Sequence, residues 1–445
     1  MNIEIDEAQP RSRARWLGVV LILVALAALV WQAWTSGFGD ELPPASPGEA
    51  VGKTSLKDML AGIDSAKLHA WAASSAALAA MPASAPLASD ETEICGLGRV
   101  KADDSGQPKD MAPIRFAAQR ARERLLSTLA NSPDEVARAA GLLLMSAGRP
   151  QLSDETCDSA DCARRAAPVN NNTAGRLRSD LVARDALASM ALTTRSPRVY
   201  ALAMNACQSH RKEGVCLQLS PEQWARLDPD NAVPWLYVAA DAGDRREAPT
   251  AAEAFFRVSR AARSDTHWGA LTGLVLAKLP SELPILDKVA LAGEVLVIEA
   301  EALMPFVPAS QYCSVAEVRD ANRQQVCSAM AEVLVYKGSS LMDVALGTSI
   351  GQRAGWPAER LAALQDERDA LLHLNDQSAP PQPWSCSGLV RTLNQLAEMG
   401  QHGELGAMRR ALKQSPEPVA VLARKQREAA AVRVASAPSG AASKP

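Results

Sequence analysis

The chain has 445 residues and a formal net charge of −3, with a sequence pI near 6.1. That balance excludes, on composition, the concentrated basic surface of a nucleic-acid-binding protein. Hydrophobic residues make up 47% of the chain but aromatics only 4%. Alanine and leucine, both helix formers, supply the difference, and strand-type runs are nearly absent, so the expected fold class is all-α.

Residues 1–15 are polar and carry Arg11, Arg13 and Arg15. Residues 16–34 read WLGVVLILVALAALVWQAW, uncharged, with Trp16, Trp31 and Trp34 at the two ends. At ~1.5 Å per residue this run spans about 28 Å, close to the hydrocarbon thickness of a bilayer, and tryptophans favour the headgroup layer. It predicts a single N-terminal transmembrane helix. The first charges after it are Asp40 and Glu41, so the positive-inside rule makes residues 1–15 a cytoplasmic tail and exports the rest. In a Gram-negative cell that places the anchor in the inner membrane and the body in the periplasm. The competing reading, a cleaved signal peptide, needs small residues after the apolar run, where Trp31 and Trp34 stand.

Residues 35–53, with Pro43, Pro44 and Pro47, read as a linker. In 54–111, a helix over 54–81 is followed by an irregular stretch with the turn CGLG at 95–98. From Ala112 the pattern becomes helix, short turn, helix. Ile114, Ala118, Ala121, Leu125 and Leu129 form one apolar stripe. Arg120, Arg122 and Arg124 alternate with Ala121 and Glu123 and read as a solvated helix face. Pro133, Pro197 and Pro229 mark breaks, 32 residues apart (197 to 229) and twice that (133 to 197). That spacing suggests a helical-hairpin repeat over 112–280.

The unit at 229–263 resembles the tetratricopeptide repeat. Pro229 stands where the preceding unit closes, and Trp235, Val238 and Ala239 take the places of that family's Trp, Leu and Gly. Ala251 and Phe255 fall on the second helix at the family's separation, while Ala242 and Arg263 depart from its Tyr and closing Pro. The resemblance implies a helical-hairpin solenoid, with Trp235 and Phe255 buried between helices and Ala239 and Ala251 at their close approach.

Residues 281–411 read as a second helical subdomain, with helices at 286–303, 315–337, 339–354 and 357–376 and two shorter ones after Cys386. Residues 412–445, with Pro416, Pro418 and APSGAASKP, read as a largely disordered tail.

Eight cysteines, Cys95, Cys157, Cys162, Cys207, Cys216, Cys313, Cys327 and Cys386, all follow the anchor. An even count in an oxidising compartment favours disulfides, although eight cysteines leave the connectivity open. Closeness suggests Cys157–Cys162, Cys207–Cys216 and Cys313–Cys327, which leaves Cys95 for Cys386. A zinc site would need histidines near Cys157 and Cys162, and none lies between His69 and His210.

His267 reads as packing at a hairpin junction and His210 as a loop residue. Glu294, Glu299 and Glu301 read as one face of an amphipathic helix. No catalytic motif, cofactor signature or metal-ligand set emerges. The function expected is therefore a membrane-anchored protein-interaction or scaffold module with a protein or peptide partner. The alternative is an α-helical cell-envelope enzyme.

Overall fold

A computed structural model describes residues 87–88, 90–103, 106–147, 173–211, 213–301, 306–378 and 382–435. The expected cytoplasmic tail 1–15, transmembrane helix 16–34, linker 35–53, helix 54–81 and the pair Cys157–Cys162 lie outside them. No described helix is long and apolar enough to cross a membrane.

A hairpin, β1 (Glu91–Ile94) with β2 (Gly98–Lys101), opens the described chain. Helices follow: α1 (Ala112–Ala130), α2 (Glu135–Ser146), α3 (Thr173–Thr193), α4 (Pro197–Ala206), α5 (Pro221–Leu227), α6 (Ala232–Asp244), α7 (Ala248–Arg260) and α8 (Ala270–Lys278). Then come α9 (Ile285–Glu301), α10 (Phe306–Tyr312), α11 (Ala321–Lys337), α12 (Leu341–Arg353) and α13 (Ala358–Ser378). The last three are α14 (Cys386–His402), α15 (Glu404–Gln414) and α16 (Val419–Ala435). The protein is mostly helical, as composition implied. The tail reading of 412–445 is corrected, because Pro418 precedes a helix and Leu422 and Ala423 of that helix are buried.

The described chain forms two compact units. The smaller is built from 87–120, 284–290 and 376–393. It holds the hairpin, which corrects the irregular reading of 82–111. The strands are four residues long, too short for alternation to register, and each brings one main apolar residue, Ile94 or Val100. They pair antiparallel with Glu91 opposite Lys101 and Glu93 opposite Arg99, so opposite charges face across the ladder. The CGLG turn sits between them, with Gly96 at φ 81° and Gly98 at φ 79°, a region costly for side-chain-bearing residues. Ile94, Leu97, Ile114, Ala117, Leu286 and Leu389 form the apolar core. Cys95 is bonded to Cys386, and the Cys95 N–H donates to the Trp384 carbonyl at 2.9 Å. Arg120 is not solvated as expected: it grips buried Asp287 through two hydrogen bonds of 3.0 and 2.7 Å.

The larger unit takes 121–283, 291–375 and 394–435, so helices from both sides of residue 280 share it. Arg122 is buried and lies 3.8 Å from Glu294, again unlike a solvated face. All three expected proline breaks fall at junctions. Pro133 precedes the α2 cap Asp134, Pro197 opens α4 behind its cap Ser196, and Pro229 separates α5 from α6. Helix α6 pairs with α7, α11 pairs with α12, and α7 packs on α11. The α11–α12 pair closes over glycines: a Cβ at Gly347 would meet Val335 at 2.7 Å and Leu334 at 2.9 Å. Cys207–Cys216 and Cys313–Cys327 are bonded within this unit.

Candidate functional site

Loops converge at one end of the helix pairs. The Ala232 N–H donates to Arg263 O and the Ser264 N–H to Lys337 O, both at 2.8 Å, and the Ser339 N–H returns to Ser264 O at 2.9 Å. The segments before α6, after α7 and between α11 and α12 are thus laced together. Asn231, fully buried, holds the lacing. Its Oδ1 accepts the N–H of Val233 and Asp265, and its Nδ2 donates to Asp228 Oδ2 and Asp265 O. Asp228 also pairs with Arg263.

This lacing fixes the turn at 265–269. His267 is held at φ 59° and Gly269 at φ 82°, the former uncommon for a residue with a side chain. The Asp265 carboxylate orients His267 twice, taking its backbone N–H at 2.8 Å and lying 3.1 Å from Nδ1. Burial raises the Asp265 pKa, but the His267 hydrogen bond and charge, with Arg263 behind, overcome it and hold the group at about 2. His267 Nε2 is buried with no hydrogen-bond partner.

Beside this turn lies a cavity of about 440 Å³ in the larger unit. Its wall is mainly apolar, with Met204, Val233, Leu271 and Leu274, and carries the rings of Trp224, Tyr237, Trp268 and Phe306. The polar lining includes Asp134, Arg198, Asn205, His267, Glu299 and Glu404. Glu299 reaches from α9 to the start of α8, where it accepts the N–H of Leu271 at 2.9 Å, the N–H of Thr272 at 3.3 Å and Thr272 Oγ1 at 2.6 Å. Burial pushes its pKa up, and these donors pull it only part of the way back, to about 7. Glu404 accepts the Leu341 N–H at 2.8 Å, and its pKa is raised by burial and by the neighbouring charge of Asp343. Asp343 itself is buried beneath Ser340, with Ser264 Oγ at 2.9 Å and Ser340 Oγ at 2.8 Å. Burial lifts it to about 6 against those bonds. Helix α8 is pressed against α14 where Gly273 meets Gly400; a Cβ on Gly273 would stand 2.6 Å from the Gly400 Cα.

Most of the carboxyl groups here cap helices or close turns, so the wall offers an apolar, ring-lined space with few uncommitted polar atoms. That is the usual make-up of a ligand pocket. No described group of His, Cys, Asp and Glu could hold a metal ion.

The residues singled out from sequence sit elsewhere. Phe255 is buried and stacks on Tyr312 with centroids 4.2 Å apart; Val238 and Ala239 are buried. Ala251 is half-buried and Pro229 exposed. Trp235 is not enclosed between helices. It is half-buried, its Nε1 donates to Pro229 O at 3.0 Å, and Arg257 lies over its ring at 5.8 Å. The tryptophan buried in this region is Trp224, tilted against Tyr237 at 5.5 Å. None of the six residues of the 229–263 pattern, and none of the described cysteines, lines the cavity. The missed residues are Trp224, Tyr237, Trp268, Glu299 and Phe306, while His267, expected to pack at a junction, does so at the cavity wall. His210 is half-exposed, with Nδ1 3.0 Å from Glu213.

In comparisons with known proteins, no family model, no curated protein and no solved structure matches this chain.

Proposed function

We propose that this chain is a membrane-anchored interaction module, and that the cavity of the larger unit is where a protein or peptide partner engages it. On this reading the arginine asymmetry about residues 16–34 keeps the N-terminus in the cytoplasm and the body in the periplasm of a Gram-negative cell, where disulfides persist. The paired helices α6–α7 and α11–α12 support a solenoid of tetratricopeptide-like hairpins, a type of fold that presents recognition surfaces to partners. The observation that carries the reading is the wall of the cavity: rings and aliphatic side chains face it while Glu299 and Glu404 are engaged by backbone N–H groups.

The test is site-specific photo-cross-linking in native membranes. A photoreactive residue at Met342, exposed and lining the cavity, should capture a discrete partner, and one at exposed Val432 should not. Filling the cavity by Leu274→Trp should abolish the Met342 adduct. Equal adducts at both positions, or an adduct indifferent to Leu274→Trp, would sink the proposal.

The enzyme alternative has one observation in its favour, the Asp265–His267 pair on a strained turn at the cavity wall. It requires the captured material to leave chemically changed, which mass spectrometry before and after incubation reads directly.

A further inference from the structure

In a chain with only 4% aromatic residues, Trp224, Tyr237, Trp268 and Phe306 reach a single cavity. This protein covers several ring faces with guanidinium groups, and the cavity's Tyr237 is one of them, with Arg211 5.6 Å over it. Arg257 lies 5.8 Å over Trp235, Arg323 lies 4.7 Å over Tyr312, and Arg360 lies 3.4 Å over Trp356. Among the described residues, Trp268 and Phe306 have neither a ring nor a guanidinium against them. Among the described residues that line the cavity, none is a buried lysine or arginine. Arg198 there is solvent-exposed, as is Asp134, whereas Glu299 is buried in the wall.

An aromatic face attracts a cation lying within roughly 6 Å of the ring centroid, and more strongly once the cation is stripped of water. The Glu299 carboxyl in the same wall complements that charge once it is ionised, above about pH 7. The aliphatic side chains accept methyl or methylene groups around it. We infer that the cavity takes an alkylammonium group, carried by a free small molecule or by a lysine side chain of the partner. The inference rests on the cavity being the binding site and names the chemistry that enters it.

Calorimetric titration of the full chain at about pH 8, above the Glu299 pKa of about 7, tests it with three probes. These are choline, its neutral tert-butyl analogue with carbon in place of the charged nitrogen, and Nα-acetyllysine amide. At least one cation should bind about tenfold more tightly than the neutral analogue, the ratio a desolvated cation–π contact gives. The tighter of the two cations identifies the source. Trp268→Leu should bring the ratio of the tighter cation to the neutral analogue near one, and Glu299→Gln should lower it severalfold. If Glu299→Gln does not fold, Phe306→Leu carries the same comparison. Neutral binding as tight as that of both cations overturns the inference while leaving the cavity a binding site. No cation binding to a chain with an intact thermal transition overturns it as well. The partner reading then stands or falls on the Met342 cross-link alone, so the two failures remain distinct.

Discussion

The two units are held by different means. In the smaller one, the bonded cysteines are 291 residues apart in sequence and the apolar core has six buried residues. In the larger one, bonded cysteines are 9 and 14 residues apart, and long side chains such as Leu125, Leu236, Leu291, Met330 and Leu334 are fully buried. A crosslink removes more entropy from the unfolded chain the longer the loop it closes, by the chain-entropy model. The covalent bond therefore matters most where the core is smallest. The short loops of the larger unit trim local freedom around a body that apolar packing already holds.

That contrast can be broken at its strongest point first. Replacing both Cys95 and Cys386 by alanine should cost up to about 5–6 kcal/mol by the loop-entropy estimate. The loss should be local. Amide-exchange protection should vanish in 91–101 and around Trp384 while the α6 and α11 cores keep theirs. Uniform loss across both units, or none at all, would refute the division. Within the larger unit, Phe255→Ala removes a buried stacked ring and should cost about 3–5 kcal/mol, read as a shift in denaturation midpoint. Trp235→Ala, at a half-buried ring, should cost far less, about 1 kcal/mol. Equal costs would return Trp235 to the packed position that the 229–263 pattern gave it.

The cavity wall adds a pH signature. Because the pKa of Glu299 rises on folding from 4.5 to about 7, the folded chain holds a proton there that the unfolded chain releases. The stability from this group is fully present below pH 4.5 and is lost as pH rises through about 7. Its size is at most about 3 kcal/mol. Asp343, raised from 3.8 to about 6, acts in the same direction. Denaturation midpoints should fall between pH 5 and pH 8, and Glu299→Gln should flatten that fall. An unchanged slope in the variant would show that Glu299 is not buried as described.

The helices were legible in the sequence because their signals are local. Ser196-Pro197 and Asp228-Pro229 mark junctions, and the apolar stripe from Ile114 to Leu129 gives α1. The two nearest described cysteine pairs were suggested by closeness alone. The hairpin was not legible, since its stability comes from a disulfide and a core assembled from 284–290 and 382–393 as well as its own strands. The buried arginines were misread for a related reason: alternation of Arg120 and Arg122 with small residues looks solvated until Asp287 and Glu294 arrive from a distant helix. Glu299 left a readable trace. It lies on the same helical face as Ala292 and Val295, both fully buried, and a carboxylate on an apolar stripe needs a partner. The cavity itself draws on loops and helices from residue 134 to residue 404, a gathering that no local pattern encodes.

The central claim is that binding occurs in this cavity, and methyl NMR of methionine-labelled full chain tests it most directly. Met204 and Met342 line the cavity, whereas Met330 is fully buried and does not. On titration with whichever of choline and Nα-acetyllysine amide binds more tightly, the Met204 and Met342 methyl resonances should move together along one saturable curve while Met330 stays fixed. Movement of Met330 with Met204 and Met342 unchanged, or no movement at any of the three, would contradict the account.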